Sequence, residues 1–182
     1  MKKIIVILVI IGVITFVYFM RDDSPQEKTG TPVASENGTF RPNPSNATFI
    51  FDDGPITLSQ GHNERAITPS SALLEETTLM DKFAYGDINL DGKEDAALFL
   101  ARYGGGSGTF IYVAVFVSGP VTHRGSEAIF IGDRIAPQSI SINREVVTVE
   151  YLDRGPDEAL ASEPTIRTTK QFVYQDGKFQ ER

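Results

Sequence analysis

A chain of 182 residues has room for one domain and some accessory sequence, and this one carries a net charge of −7 and no cysteine, which excludes disulfides and thiolate metal sites. Three of its 17 bases (Lys2, Lys3 and Arg21) flank the first apolar run and no acid precedes Asp22, so the remainder carries 14 bases against 24 acids, a net of −10. Such a surface repels nucleic acid and anionic lipid headgroups, and both are set aside as partners of the main domain.

Residues 4–20 read I-I-V-I-L-V-I-I-G-V-I-T-F-V-Y-F-M, without one charge. As a helix rising about 1.5 Å per residue, the run spans roughly 25 Å, enough for a thin bilayer core. Lys2 and Lys3 place the N-terminus in the cytoplasm by the positive-inside bias. A cleaved signal peptide would show a shorter apolar core followed by small residues. Here the run ends on the bulky Phe16–Arg21, so residues 1–21 are read as an uncleaved transmembrane signal anchor. Residues 22–46 are rich in Pro, Ser, Thr, Asn, Gly and Glu and cannot bury enough apolar surface to fold; they read as a disordered stalk. Asn37-Gly38-Thr39 and Asn46-Ala47-Thr48 fit the N-glycosylation pattern and are taken as ordinary linker polarity.

Residues 47–182 form the predicted extracytoplasmic domain. Residues 48–51 and 56–59, around Asp52-Asp53-Gly54, predict a first hairpin. Residues 60–72 read as loop or weak edge strand. Residues 73–83 fit either a helix with Leu73, Leu74, Leu79, Met80 and Phe83 on one face, or an extended strand. The stretch from Tyr85 to Val117 is the centre of the pattern. An acidic loop leads into D-A-A-L-F-L-A-R-Y, the turn G-G-G-S-G follows, and T-F-I-Y-V-A-V-F-V runs back. Both strands are apolar on alternate and on intervening positions, which predicts cover on both faces. Further short strands are predicted at 128–131, 139–142, 146–152, 166–174 and 178–180, the last two joined at Asp176-Gly177, a strong hairpin signal. Many short strands with frequent turns and no long amphipathic helix predict an all-β, mainly antiparallel sandwich or open barrel behind the N-terminal transmembrane helix.

The acidic loop places Asp87, Asn89 and Asp91 at positions one, three and five, Gly92 at six, Lys93 at seven and Asp95 at nine. A hard cation such as Ca²⁺ needs several oxygens converging from a tight turn, and Lys93 would supply only its backbone carbonyl. The loop resembles the calcium loops of EF-hands, dockerins and FG-GAP repeats. It departs from the EF-hand at position twelve, where Leu98 stands in place of a bidentate glutamate, and it leads into a strand as FG-GAP loops do. Asp95 would then close the site. A single copy does not make a propeller. The expectation is a weak Ca²⁺ site at Asp87, Asn89, Asp91, Lys93 and Asp95.

The motifs G-D-I-N-L-D-G-K-E-D-A-A-L-F-L, G-G-S-G-T-F-I-Y-V and G-D-R-I-A-P-Q, in that order over residues 86–154, resemble a family of bacterial envelope-anchored proteins that carry a signal or lipoprotein segment and one globular module. The resemblance implies a bacterial envelope protein and supports the domain boundary; together with the apolar run and its flanking lysines, the expectation is a bacterial cytoplasmic-membrane protein with a single pass and its C-terminal domain outside. It places no residue in a catalytic role.

Other chemistry is thin. Residues 104–108 lack the lysine of a phosphate loop and join two strands, so they read as a flexible hairpin loop. His62 and His123 are too few for zinc. Ser107 with His123 makes a triad only on paper, with no nucleophile elbow. The paired acids Asp52-Asp53, Glu75-Glu76 and Asp157-Glu158 read as solvated turns, and Asp133-Arg134 as an ion pair at a strand end. The chain is therefore expected to be a non-enzymatic, calcium-stabilised binding or structural module whose partner is an envelope protein or glycan. The alternatives are a lysozyme-inhibitor-like binder, for which Ser107–Tyr112 would be the inserted loop, and a cell-wall hydrolase using carboxylates.

Overall fold

A computed structural model describes residues 41–182. The anchor expected at residues 1–21 and residues 22–40 of the stalk expected at 22–46 lie outside the described residues. Among the described residues no helix is long and apolar enough to cross a membrane.

The described chain enters the domain early. Pro42 and Pro44 are buried, and a 3₁₀ turn, Pro44–Asn46, capped by the Asn43 side chain, leads into the first strand. The strands follow as β1 (Thr48–Phe51), β2 (Gly54–Thr57), β3 (His62–Ala66), β4 (Leu74–Gly86), β5 (Asp95–Tyr103) and β6 (Phe110–Val117). Then come β7 (Arg124–Gly125), β8 (Ile129–Asp133), β9 (Ala136–Asn143), β10 (Val146–Asp153), β11 (Ile166–Gln175) and β12 (Lys178–Glu181). They make a two-stranded sheet β1-β2, a six-stranded sheet β3-β4-β5-β6-β7 with β8 also on β6, and a four-stranded sheet β12-β11-β10-β9. All of these strand pairings are antiparallel.

The sequence of β5 dictates the layering. Every residue from Asp95 to Arg102 is buried, because the sheet is covered on both faces. Leu98, Leu100 and Ala114 meet Phe49, Phe51, Ile56 and Leu58 of the β1–β2 hairpin. Ala97, Phe99, Val113 and Val115 face the other way, onto Val147, Val149, Tyr151 and Phe172 of the four-stranded sheet. The described residues thus form an all-β sandwich of two large sheets, with the first hairpin as a lid over the outer face of the six-stranded one.

The ambiguous stretch 73–83 is extended. Leu73 and Leu74 are exposed, so the helical face they would have lined has no core to meet. The backbone of β4 instead pairs with β3 on one side and β5 on the other. A register shift between Leu79 and Phe83 lets this long strand bend. β3 occupies the sheet edge that the weak-strand reading anticipated. The β11–β12 turn takes left-handed backbone at both Asp176 (φ 52°) and Gly177 (φ 78°), as a two-residue hairpin requires.

Candidate functional site

Residues 87–94 connect β4 to β5, and the loop is held by its own side chains. Leu90 (φ 60°) and Gly92 (φ 84°) adopt left-handed backbone and produce the sharp bend. Asp87 spans the bend, its Oδ1 accepting from Asp91 N at 3.0 Å and its Oδ2 from Gly92 N at 2.8 Å. Asn89 Oδ1 accepts from the same Asp91 amide at 3.2 Å. Two side-chain oxygens, from the first and third loop positions, therefore converge on one nitrogen. Asp91 Oδ1 accepts from Lys93 N at 3.0 Å, and its Oδ2 from Ser118 Oγ at 2.5 Å. The Ser118 hydroxyl, helped by the Lys93 amide, holds the Asp91 carboxyl below its usual range.

Asp95 faces inward. It is fully buried. Its Oδ2 accepts from Ile88 N at 2.8 Å and Asn89 N at 3.3 Å, and its Oδ1 from Ser118 N at 2.7 Å. A buried carboxylate is tolerated because donors replace its water. Beside it, Ile88 plugs the core between the large sheets. Lys93 donates to Gly119 O at 3.1 Å, with its ammonium 3.8 Å from Asp91 Oδ2. Asn89 Nδ2 donates to Ser118 O at 2.9 Å, and His123 Nε2 bonds Glu94 O at 2.9 Å. The loop is thereby stitched to the β6–β7 connection, residues 118–123. The structure gathers Asp87, Asn89 and Asp91 on the exposed side and commits Asp95 to backbone amides. Among the described residues no group of three or more His, Cys, Asp or Glu side chains is placed to hold a metal ion.

A second polar cluster sits at the opposite end of β5. Arg102 carries the alternation of that strand one step past Leu100 and ends under the tip of the lid. Its guanidinium bonds Asp53 at 2.9 and 2.5 Å and Glu75 at 2.6 Å, and lies over the Phe51 ring, 5.1 Å from its centroid. Arg65 joins the same two acids, contacting Asp53 and bonding Glu75 at 2.7 Å. The Arg102 hydrogen bond holds the Asp53 carboxyl down at about 2. Burial pushes Glu75 up, but its bonds to Arg102 and Arg65 outweigh that, and it too lies below its ordinary value. Of the paired acids, one member from each of the first two is therefore not a solvated turn residue but half of a latch that fastens the lid.

Ser107 and His123 lie at opposite ends of the β5–β6 hairpin, so they form no dyad. His62 stands 3.5 Å from Glu76 and 3.8 Å from Glu64 on the β3–β4 edge. Asp133 bonds Arg134 at 2.9 Å and also accepts from Thr109 N at 2.9 Å, closing the glycine-rich loop. Sequence reasoning missed Ser118, whose backbone and hydroxyl hold both ends of the acidic loop. Its only signal was a small hydroxyl residue at the exit of an apolar strand. It also missed Arg102, whose signal was plainer: a lone cation in a strand apolar on both faces. Comparison with protein-family models, with curated proteins and with solved structures finds no match.

Proposed function

We propose that the chain is a membrane-tethered, non-enzymatic binding or structural module of the bacterial envelope, with its β-domain outside the cytoplasmic membrane and its acidic loop set by Ca²⁺. The observation that carries the metal reading is the convergence of Asp87 Oδ1 and Asn89 Oδ1 on the Asp91 amide, beside the Asp91 carboxylate, on an exposed bend. A divalent cation there would draw on those oxygens and offset their mutual repulsion. The Lys93 ammonium already supplies part of the countercharge, which supports weak affinity, on the order of 10⁻⁴ to 10⁻³ M as in extracellular modules. The non-enzymatic reading is supported by the state of the best-placed carboxylates. Asp53 and Glu75 share the Arg102 and Arg65 guanidinium groups, which lower both carboxyls, whereas a glycosidase pair needs one carboxyl that keeps its proton. The inhibitor-like reading rests on Ser107–Tyr112, of which Ser107 and Phe110 are exposed while Ile111 is buried and Tyr112 packs against Phe51 and Phe130, and a lysozyme inhibition assay separates it.

The test is thermal melting of the full-length chain in detergent, freed of metal by chelation. At ten times Kd, Ca²⁺ bound to the folded state adds about 1.4 kcal/mol, a rise of roughly 3–6 °C for a domain of this size. Mg²⁺ gives less, because it gives up its waters reluctantly. Asp87→Ala and Asp91→Ala each remove the increment. Melting indifferent to Ca²⁺ leaves the loop a self-capped turn.

A further inference from the structure

At the β7 end of the molecule a hollow of about 520 Å³ opens, within the range of small-molecule sites, about 300–1,000 Å³. One side comes from the approach to β1, with Asn43, Asn46 and Thr48; the other comes from β6 and β7, with Phe116, His123 and Arg124. Gly125 lets the two sides meet. A Cβ there would stand 2.2 Å from Thr48 O and 2.7 Å from the Phe49 ring, so β1 and β7 touch backbone to backbone at the base.

The hollow is rich in donors. Arg124 gives one N–H to the Tyr174 hydroxyl at 3.0 Å, which ties it to β11. A guanidinium has five N–H donors, and among the described residues this one has no carboxylate partner, unlike Arg65, Arg102, Arg134 and Arg167. Glu127 lines a smaller recess of about 160 Å³ that Arg124 also borders. Asn43 and Asn46 spend their side-chain oxygens inside the protein, on Ser45 N and Gln60 N, which leaves their amide N–H groups as what they can offer a ligand. Phe116 and His123 stack with centroids 5.3 Å apart and supply an aromatic surface. Donors of this kind suit a ligand of acceptors with an apolar ring face. The acidity of the rest of the chain selects against a polyanion.

The geometry points to a binding site for a small saccharide bearing a single carboxylate, held by Arg124, with its ring against the Phe116–His123 pair. This deepens the reading of the domain as a binding module and does not depend on the metal. The test titrates the untagged full-length chain in detergent with two pairs of sugars alike in ring, one member of each carrying a carboxylate: glucuronic acid against glucose, and N-acetylmuramic acid, whose carboxylate sits on a lactyl ether, against N-acetylglucosamine. The acidic member of at least one pair binds saturably and at least ten-fold more tightly than its neutral twin, and Arg124→Gln erases the difference. Arg144→Gln, in the distant β9–β10 turn, does not. The chain has two histidines, so proton NMR locates the ligand without any variant: the His123 ring resonances move on titration and those of His62 do not. Equal binding of the twins, or no saturable binding by any of the four sugars, overturns the site. An acidic sugar that binds while His123 stays still overturns the hollow but leaves the binding module standing.

Discussion

Asp95 accepts three backbone N–H groups from two segments, at Ile88, Asn89 and Ser118, in a position closed to water. Removing it strands buried donors, which costs more than the bonds themselves contribute. Asp95→Ala is expected to lower stability by about 2–5 kcal/mol, measured by urea unfolding, and Asp95→Asn by less, since one oxygen survives. Asp87→Ala, on the exposed side of the same loop, costs less than either in the absence of metal; the reverse order would mean that the loop, not its buried pin, carries the stability. Asp53 gives a different dependence. Its carboxyl is depressed from 3.8 to about 2 in the folded state, so its contribution is present above the unfolded value and is lost as pH falls through that window. Glu75 shifts the same way. The Asp53 side chain is 47% exposed, so screening keeps its share to about 1 kcal/mol or less. The melting temperature should fall between pH 4 and 2, and Asp53→Asn should flatten that fall; an unchanged acid slope in the variant would show that the latch is not what titrates.

Elements differ in how openly the sequence declares them. β5 and β6 were legible because apolar residues on both faces have one simple explanation, and the two covering layers supply it. The turn at Asp176-Gly177 was legible because its backbone demands those residue types. β4 was not: Leu74–Gly86 has no clean period, and pairing with two neighbours decided its form. The latch and the Ser118 stitching were not legible either. They join Asp53 to Arg102 and Asn89 to Ser118, far apart in the chain, and nothing local marks such partners. The central placement of β6 has a direct check. Val115 is fully buried between the large sheets, so Val115→Asp buries an unpaired charge and should cost several kcal/mol. Circular dichroism melting that matches the parent would place the strand elsewhere.

For the whole molecule, the sequence implies a division that the described residues take up only from Arg41 onward. An uncleaved anchor with the β-domain outside predicts that protease added to spheroplasts releases a fragment starting within residues 21–46. A protected C-terminus, or a mature N-terminus near residue 21, contradicts it. The lid has a mechanical consequence. The guanidinium of Arg41, the first described residue, lies over the Tyr85 ring, and the chain passes through the 3₁₀ turn at Pro44–Asn46 into β1. Past that contact with β4, tension arriving at Arg41 would load the lid before the body of either large sheet. It would meet the bonds of Ala47 with Leu58 and of Ile50 with Ser126 and Ala128 before the Asp53–Arg102 latch at the far tip. The lid is thus loaded ahead of β9–β12, a meander of sequence neighbours.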